Sequence, residues 1–289
     1  MADWSTPRPH ICRLFVLMAR KARVAIIFRH GPRKYTRLIR WDLASDSFEA
    51  GQWFKGSIYD RFADISPRGD FLVYSASKHT GVPPAWTAIS RPPYFTALAL
   101  WPQAESESGG GLFETDDSLL LNQWAKEPAL MEGFKLRKGM TVTRRNWEAY
   151  RGADLYHVRL LRDGWVLLDE EGRFVITRKR RPLYEKTSRF SVRLRMQLRP
   201  RAGKVEVDYE IILPNDTVWL KWPTTDWADF DHNGDILMST AGGVWRLPHS
   251  HIGRADAQPH CVADFSTMRF EPVKAPPEAC HWPNKTRSD

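Results

Sequence analysis

The chain has 289 residues, a formal net charge of +9, and a composition 42% hydrophobic and 27% charged, which excludes a disordered or fibrous protein. Its three cysteines (Cys12, Cys261, Cys280) are too few and too scattered for a disulfide framework, and no stretch approaches the ~20 apolar residues of a membrane span, so a cytoplasmic protein without a membrane partner is expected. Thirteen tryptophans and twenty prolines favour strands and turns over long helices.

At the amino terminus the apolar run covers only residues 14–19 and follows prolines and a histidine, too short and wrongly flanked for a signal peptide. Residues 11–19 read as a first strand and 23–28 (RVAIIF) as a second. Residues 63–76, ADISPRGDFLVYSA, return as residues 228–241, ADFDHNGDILMSTA, with six of the fourteen positions identical. Each copy sets a turn between two apolar strands. Pro67 presets φ in the first copy, and Asn233-Gly234 is a strong hairpin signal in the second.

Residues 86–102, WTAISRPPYFTALALWP, are dense in aromatics and proline. Residues 96–101 read as a strand. Arg91-Pro92-Pro93-Tyr94 reads as a rigid extended loop, because each proline pushes its predecessor out of the helical region. Trp86, Tyr94 and Trp101 either present a partner-binding surface or fill the space between sheets. Gly109-Gly110-Gly111 marks either a close backbone approach or a flexible turn. The phrases DISPRGDFLVYSASK, WTAISRPPYFTALALWP and GGGLF, in this order over residues 50–125, resemble a family of uncharacterised bacterial proteins. More broadly, Ser66-Pro67-x-Gly69 with Leu72-Val73-Tyr74-Ser75 resembles the repeats of TolB-like and WD40-like propellers, with Arg68 where that motif has Asp. That resemblance implies a propeller and brings no mechanism.

Further along, residues 113–117 lead into the strand 118–121, and residues 158–164 (VRLLRDG) read as a strand leading into 165–168. Residues 191–199, SVRLRMQLR, alternate apolar and polar, which predicts a half-buried strand with an arginine row on its wet face. Residues 205–212 return as its hairpin partner. From 173 to 204 there are twelve Lys or Arg and one acid, a local +11 against +9 for the whole chain. Such a patch suits a nucleic-acid backbone or an acidic protein face, or is a solvated strand face. Arg178-Lys179-Arg180-Arg181 has the composition of a nuclear-import signal, a pattern common by chance.

Chemical motifs are sparse. Asp229-x-Asp231-x-Asn233-Gly234 matches the first half of a calcium loop, but Thr240 stands where the bidentate Glu is needed, so a structural hairpin is expected. His260-Cys261 and Cys280-His281 are zinc-type ligands in adjacent pairs, whose side chains point opposite ways on an extended chain. Asp60, Asp64, Asp226 and Asp229 are the carboxylates that could meet in a central channel as hydrolase acids.

Lys21, Gly69, Asp117, Gly164 and Gly234 as turn residues are separated by 48, 48, 47 and 70 positions. These steps predict an all-β fold, a single β-propeller domain over 1–289. Five blades are expected, or six if the long step holds a degenerate one, with a basic hairpin inserted at 186–213 before the last blade. Residues 11–19 would close the ring by pairing with that blade, and a pair of β-sandwiches is the alternative. The function expected is a non-enzymatic protein-interaction scaffold using Trp86, Arg91, Tyr94, Arg193, Arg195 and Arg199, without catalytic residue, cofactor or metal. The alternatives are a hydrolase with channel carboxylates and a nucleic-acid-associated protein using the basic stretch 173–204.

Overall fold

The structure is a computed structural model that describes residues 12–104, 109–123, 129–144, 155–168, 182–201, 204–223 and 225–283. Among these residues the chain is all-β, with twenty-one strands in five sheets and one α-helix. The first sheet runs in chain order: β1 (Arg13–Met18), β2 (Val24–His30), β3 (Tyr35–Asp42) and β4 (Ser47–Lys55). The second contains β5 (Ser57–Ile58), β6 (Asp64–Ile65), β7 (Leu72–Ser77), β8 (Ala85–Ser90) and β9 (Ala97–Gln103), with β5 and β6 both paired to β7. The third holds β10 (Gly111–Thr115), β11 (Ser118–Leu121) and β12 (Thr141–Arg144), the last pair being parallel. Helix α1 (Leu155–Arg162) precedes the fourth sheet, which is ordered β13 (Val166–Leu167), β14 (Leu183–Thr187), β15 (Arg193–Arg201), β16 (Lys204–Ile212) and β17 (Val218–Trp222). The fifth is β18 (Trp227–Phe230), β19 (Ile236–Thr240), β20 (Gly243–Leu247) and β21 (His260–Asp264).

Two compact units result: residues 16–146 with 269–289, and residues 1–15 with 147–268. In the 16–146 unit the second sheet is covered on both faces, so β7 is buried along its whole length, Ser75 and Ser77 included. Val73, Ile89, Ala99 and Trp101 meet Phe113, Leu119 and Leu121 of the third sheet. On the opposite face Trp86 packs edge-on against Phe54 of β4. In the 147–268 unit the fourth sheet buries the cross-strand row Tyr184–Met196–Tyr209–Trp222 and leaves charged residues on its other face.

Several expectations change. Residues 158–161 are helical, because Leu155, Tyr156, Arg159 and Leu160 recur at i,i+4 spacing and bury one stripe. The hairpin of 186–213 forms β15 and β16, the inner strands of the fourth sheet rather than an addition beside one. Residues 91–94 close a tight turn, with the Tyr94 N–H donating to Arg91 O at 3.0 Å and the Pro92–Pro93 peptide cis, in place of an extended loop. The first strand pairs as a ladder with β2 rather than with a strand of the last sheet. Side chains from the last sheet do reach its start: the Leu14 N–H donates to Asp226 Oδ2 at 3.1 Å, and the Ser239 hydroxyl donates to Leu14 O at 3.2 Å. The basic run 173–181 lies outside the described residues.

Candidate functional site

The turn carrying Arg91 and Tyr94 is fixed to β4 from below. Gln52 Oε1 accepts from the Phe95 and Thr96 amides at 2.8 and 3.1 Å and from the Thr96 hydroxyl at 3.2 Å. The Gln52 N–H donates back to Pro93 O at 3.0 Å. Gly51 permits this approach, since a Cβ there would stand 1.9 Å from Pro93 O. Buried Tyr74 donates its hydroxyl to Phe95 O at 2.6 Å, and its burial raises its pKa. Pro92, Pro93 and Phe95 are consequently buried, whereas Arg91 and Tyr94 stay half-exposed.

Both exposed side chains are held. The Tyr94 hydroxyl donates to Glu49 Oε1 at 3.0 Å, and Arg91 Nη1 donates to Glu278 O. Partial burial, the Glu49 hydrogen bond and the charges of Glu49 and Glu278 raise the Tyr94 pKa, so the phenol stays a neutral donor. Trp86, another aromatic singled out from the sequence, is half-buried in β8 and packs edge-on against Phe54.

Arg193, Arg195 and Arg199 share the half-exposed face of the fourth sheet, as the alternation predicts, but acids surround them. Glu185, Arg195, Glu210 and Lys221 are direct cross-strand partners in register, an alternating charge row. Arg195 lies 3.0 Å from Glu185 and 3.6 Å from Glu210, and Lys221 lies 2.8 Å from Glu210. Arg193 contacts Glu185 at 3.5 Å and also Asp216. Arg199 donates to Asp208 at 2.8 Å and pairs with Glu206 at 3.7 Å. The acids of β14 and β16 therefore neutralise the arginine row, a feature of register that the sequence of β15 alone does not contain.

The four carboxylates considered for catalysis are each engaged. Asp60 Oδ2 sits 2.7 Å from His30 Nε2, and His30 Nδ1 lies 3.0 Å from the hydroxyl of its cross-strand partner Thr36. This hydroxyl–imidazole–carboxylate row was not singled out from the sequence, where the signal was two polar residues flanking the β2–β3 turn. Thr36 and Asp60 are 2% and 5% exposed, so the row ties the hairpin to the turn at Asp60–Phe62 and offers no reachable nucleophile. Asp64 Oδ2 accepts from the Phe113 amide at 2.8 Å, joining β6 to β10. In the other unit Asp226 accepts from Leu14, and Asp229 pairs with Lys186 at 2.7 Å. Burial raises the Asp229 pKa, while Lys186 pulls it back.

The calcium-like loop is internally neutralised. Asp231 Oδ1 accepts from the amides of Asn233 and Asp235 at 2.8 and 3.0 Å, and Arg246 reaches Asp231 and Asp235 at 2.5 and 3.0 Å. These carboxylates build the β18–β19 turn. His260-Cys261 lies in the 147–268 unit and Cys280-His281 in the other. Among the described residues, no three His, Cys, Asp or Glu side chains form a metal-binding group, and no helix is long and apolar enough to cross a membrane.

No family model and no curated protein matches the chain. Among solved structures it is similar to the crystal structure of the uncharacterized protein lmo1340 from Listeria monocytogenes EGD-e, at 6% identity and a TM-score of 0.30, over 90% of this chain and 86% of that one.

Proposed function

We propose that this protein is a non-enzymatic, cytoplasmic protein-docking module, built as a five-bladed β-propeller with one sheet per blade, and that the Arg91–Tyr94 turn contacts its partner. The observation that carries the reading is the pairing of exposure with fixation at that turn. Arginine and tyrosine are the side chains most often found at the energetic centre of protein interfaces. Holding them in place beforehand reduces the ordering entropy that association must overcome. In favour of the propeller, Lys21, Asp117 and Gly234 fall between the first two strands of the first, third and fifth sheets, and Gly69 falls in the turn between β6 and β7 of the second. Three scattered cysteines, too few for a disulfide framework, suit a reducing compartment.

The nucleic-acid alternative requires phosphates to displace the carboxylates paired with Arg193, Arg195 and Arg199. The hydrolase alternative requires freeing carboxylates already bound to His30, Lys186 and backbone amides. Affinity purification from the native cell tests the docking reading. A specific partner recovered with the wild type should be lost with the Arg91→Ala/Tyr94→Ala variant, whose far-UV spectrum stays unchanged. Equal recovery by both proteins rejects the turn as the contact.

A further inference from the structure

Residues 269–282 belong to the 16–146 unit without joining any of its sheets. Within it, local backbone–backbone hydrogen bonds run from the Ala279 N–H to Pro276 O and from the Cys280 N–H to Pro277 O. Most of its residues are exposed, and Ala279 alone among them is buried. A few side-chain anchors hold it. Phe270 sits 4.9 Å from Tyr35 and 6.0 Å from Trp53, ring to ring. Glu271 pairs at 2.7 Å with Arg37, whose side chain is only 7% exposed while that of Glu271 is 61% exposed. Glu278 O accepts from Arg91. Trp282 packs on Phe71 at 5.3 Å and donates its indole N–H to Lys135 O at 2.8 Å.

This is how one protein holds another's extended peptide: aromatic anchors in fixed contacts, a carboxylate on a largely buried arginine, and little backbone order between them. Arg37 and Arg29 both stand over Trp53, 5.4 and 5.5 Å from its ring centroid, so the surface beneath is cationic and aromatic. The segment EPVKAPPEACHW is proline-bearing, which keeps it extended and lowers the entropy lost on docking. Segments with few buried contacts and no ladder hydrogen bonds open at low free energy.

We propose that the surface receiving residues 269–282 is a peptide-binding surface whose resident ligand is the chain's own carboxyl-terminal segment. A partner protein takes this surface by displacing that segment with one of the same chemistry: a Phe-Glu pair and, twelve positions later, a tryptophan, joined by an extended proline-bearing stretch. The surface shares Arg91 with the docking turn, but the proposal does not depend on that turn having a partner.

The test uses the full chain with a protease recognition sequence inserted between Met268 and Arg269, cut after folding. A fluorescent synthetic peptide of residues 269–289 should exchange into the cut protein and bind it at least tenfold more tightly than the uncut protein. The same peptide carrying Phe270→Ala, Glu271→Gln and Trp282→Ala should bind at least tenfold more weakly. In parallel, the uncut Glu271→Gln/Trp282→Ala variant should bind the wild-type peptide at least tenfold more tightly than the uncut wild type. Equal binding of both peptides, or of cut and uncut protein, overturns the proposal. So does loss of folded structure on cutting combined with no gain in peptide binding by the uncut variant, because the segment is then a fixed part of the fold. The probe is the chain's own sequence, so a failure here is distinguishable from a failure of partner recovery at Arg91 and Tyr94.

Discussion

At Gly110 the backbone runs at φ +77°, and a Cβ would stand 1.7 Å from Phe62 O. Two costs coincide there, the left-handed conformation and a clash with main chain that cannot move aside. Gly110→Ala should therefore destabilise the protein by about 3 kcal/mol, against about 1 kcal/mol for Gly81→Ala, where φ is +85° and the space is open. Urea denaturation of the two variants measures the difference, and equal costs would remove the close-approach reading of the glycine triplet. Asp235 is a second informative residue. Burial pushes its pKa up, but the His249 amide and imidazole and the Arg246 guanidinium outweigh burial and leave it below its ordinary value. A depressed carboxylate adds stability above its unfolded pKa and loses it as pH falls through the folded one. Wild type should exceed Asp235→Asn in melting temperature at neutral pH, and the gap should close below about pH 4. A gap independent of pH would show that the charge of Asp235 contributes nothing.

At the scale of elements, the charge row Glu185–Arg195–Glu210–Lys221 sets the behaviour of the fourth sheet. Half-exposed pairs of this kind are each worth a few tenths of a kcal/mol to about one, and like charges directly opposite destabilise to a similar degree. Arg195→Glu and Glu210→Arg should each cost about 1 kcal/mol, and the double variant should cost less than their sum because it restores an opposite pair between β15 and β16, as read in a double-mutant cycle. Full additivity would contradict the pairing. The strands β15 and β16 were legible in the sequence because their alternation has a period of two. Their neutralising neighbours were not, since register is decided between strands. Residues 155–162 misled for a related reason: VRLL fits a strand over four positions, and only the eight-residue window exposes the helical stripe. The 91–94 turn was misread because proline restricts its predecessor without specifying what the chain does next.

For the whole molecule, the recurring turn spacing foretold an all-β chain, and four of its five turn residues fall between consecutive strands of one sheet. The candidate site was legible only in part. Arg91 and Tyr94 stand out because they flank two prolines in an aromatic-rich stretch, but the groups that hold the turn, Glu49, Gln52 and the Glu278 carbonyl, are remote in sequence. The same remoteness hid the His30–Asp60 pair and the Arg37–Glu271 pair. Among the described residues, the carboxylates and arginines weighed for catalysis or phosphate binding are paired within the fold, and the docking proposal rests on the fixed turn. Hydrogen–deuterium exchange of the purified protein with and without its recovered partner tests that claim most directly. Protection concentrated on residues 91–96 and the adjoining part of β4 is the predicted result. Protection confined to residues 193–212, with 91–96 unchanged, would contradict it.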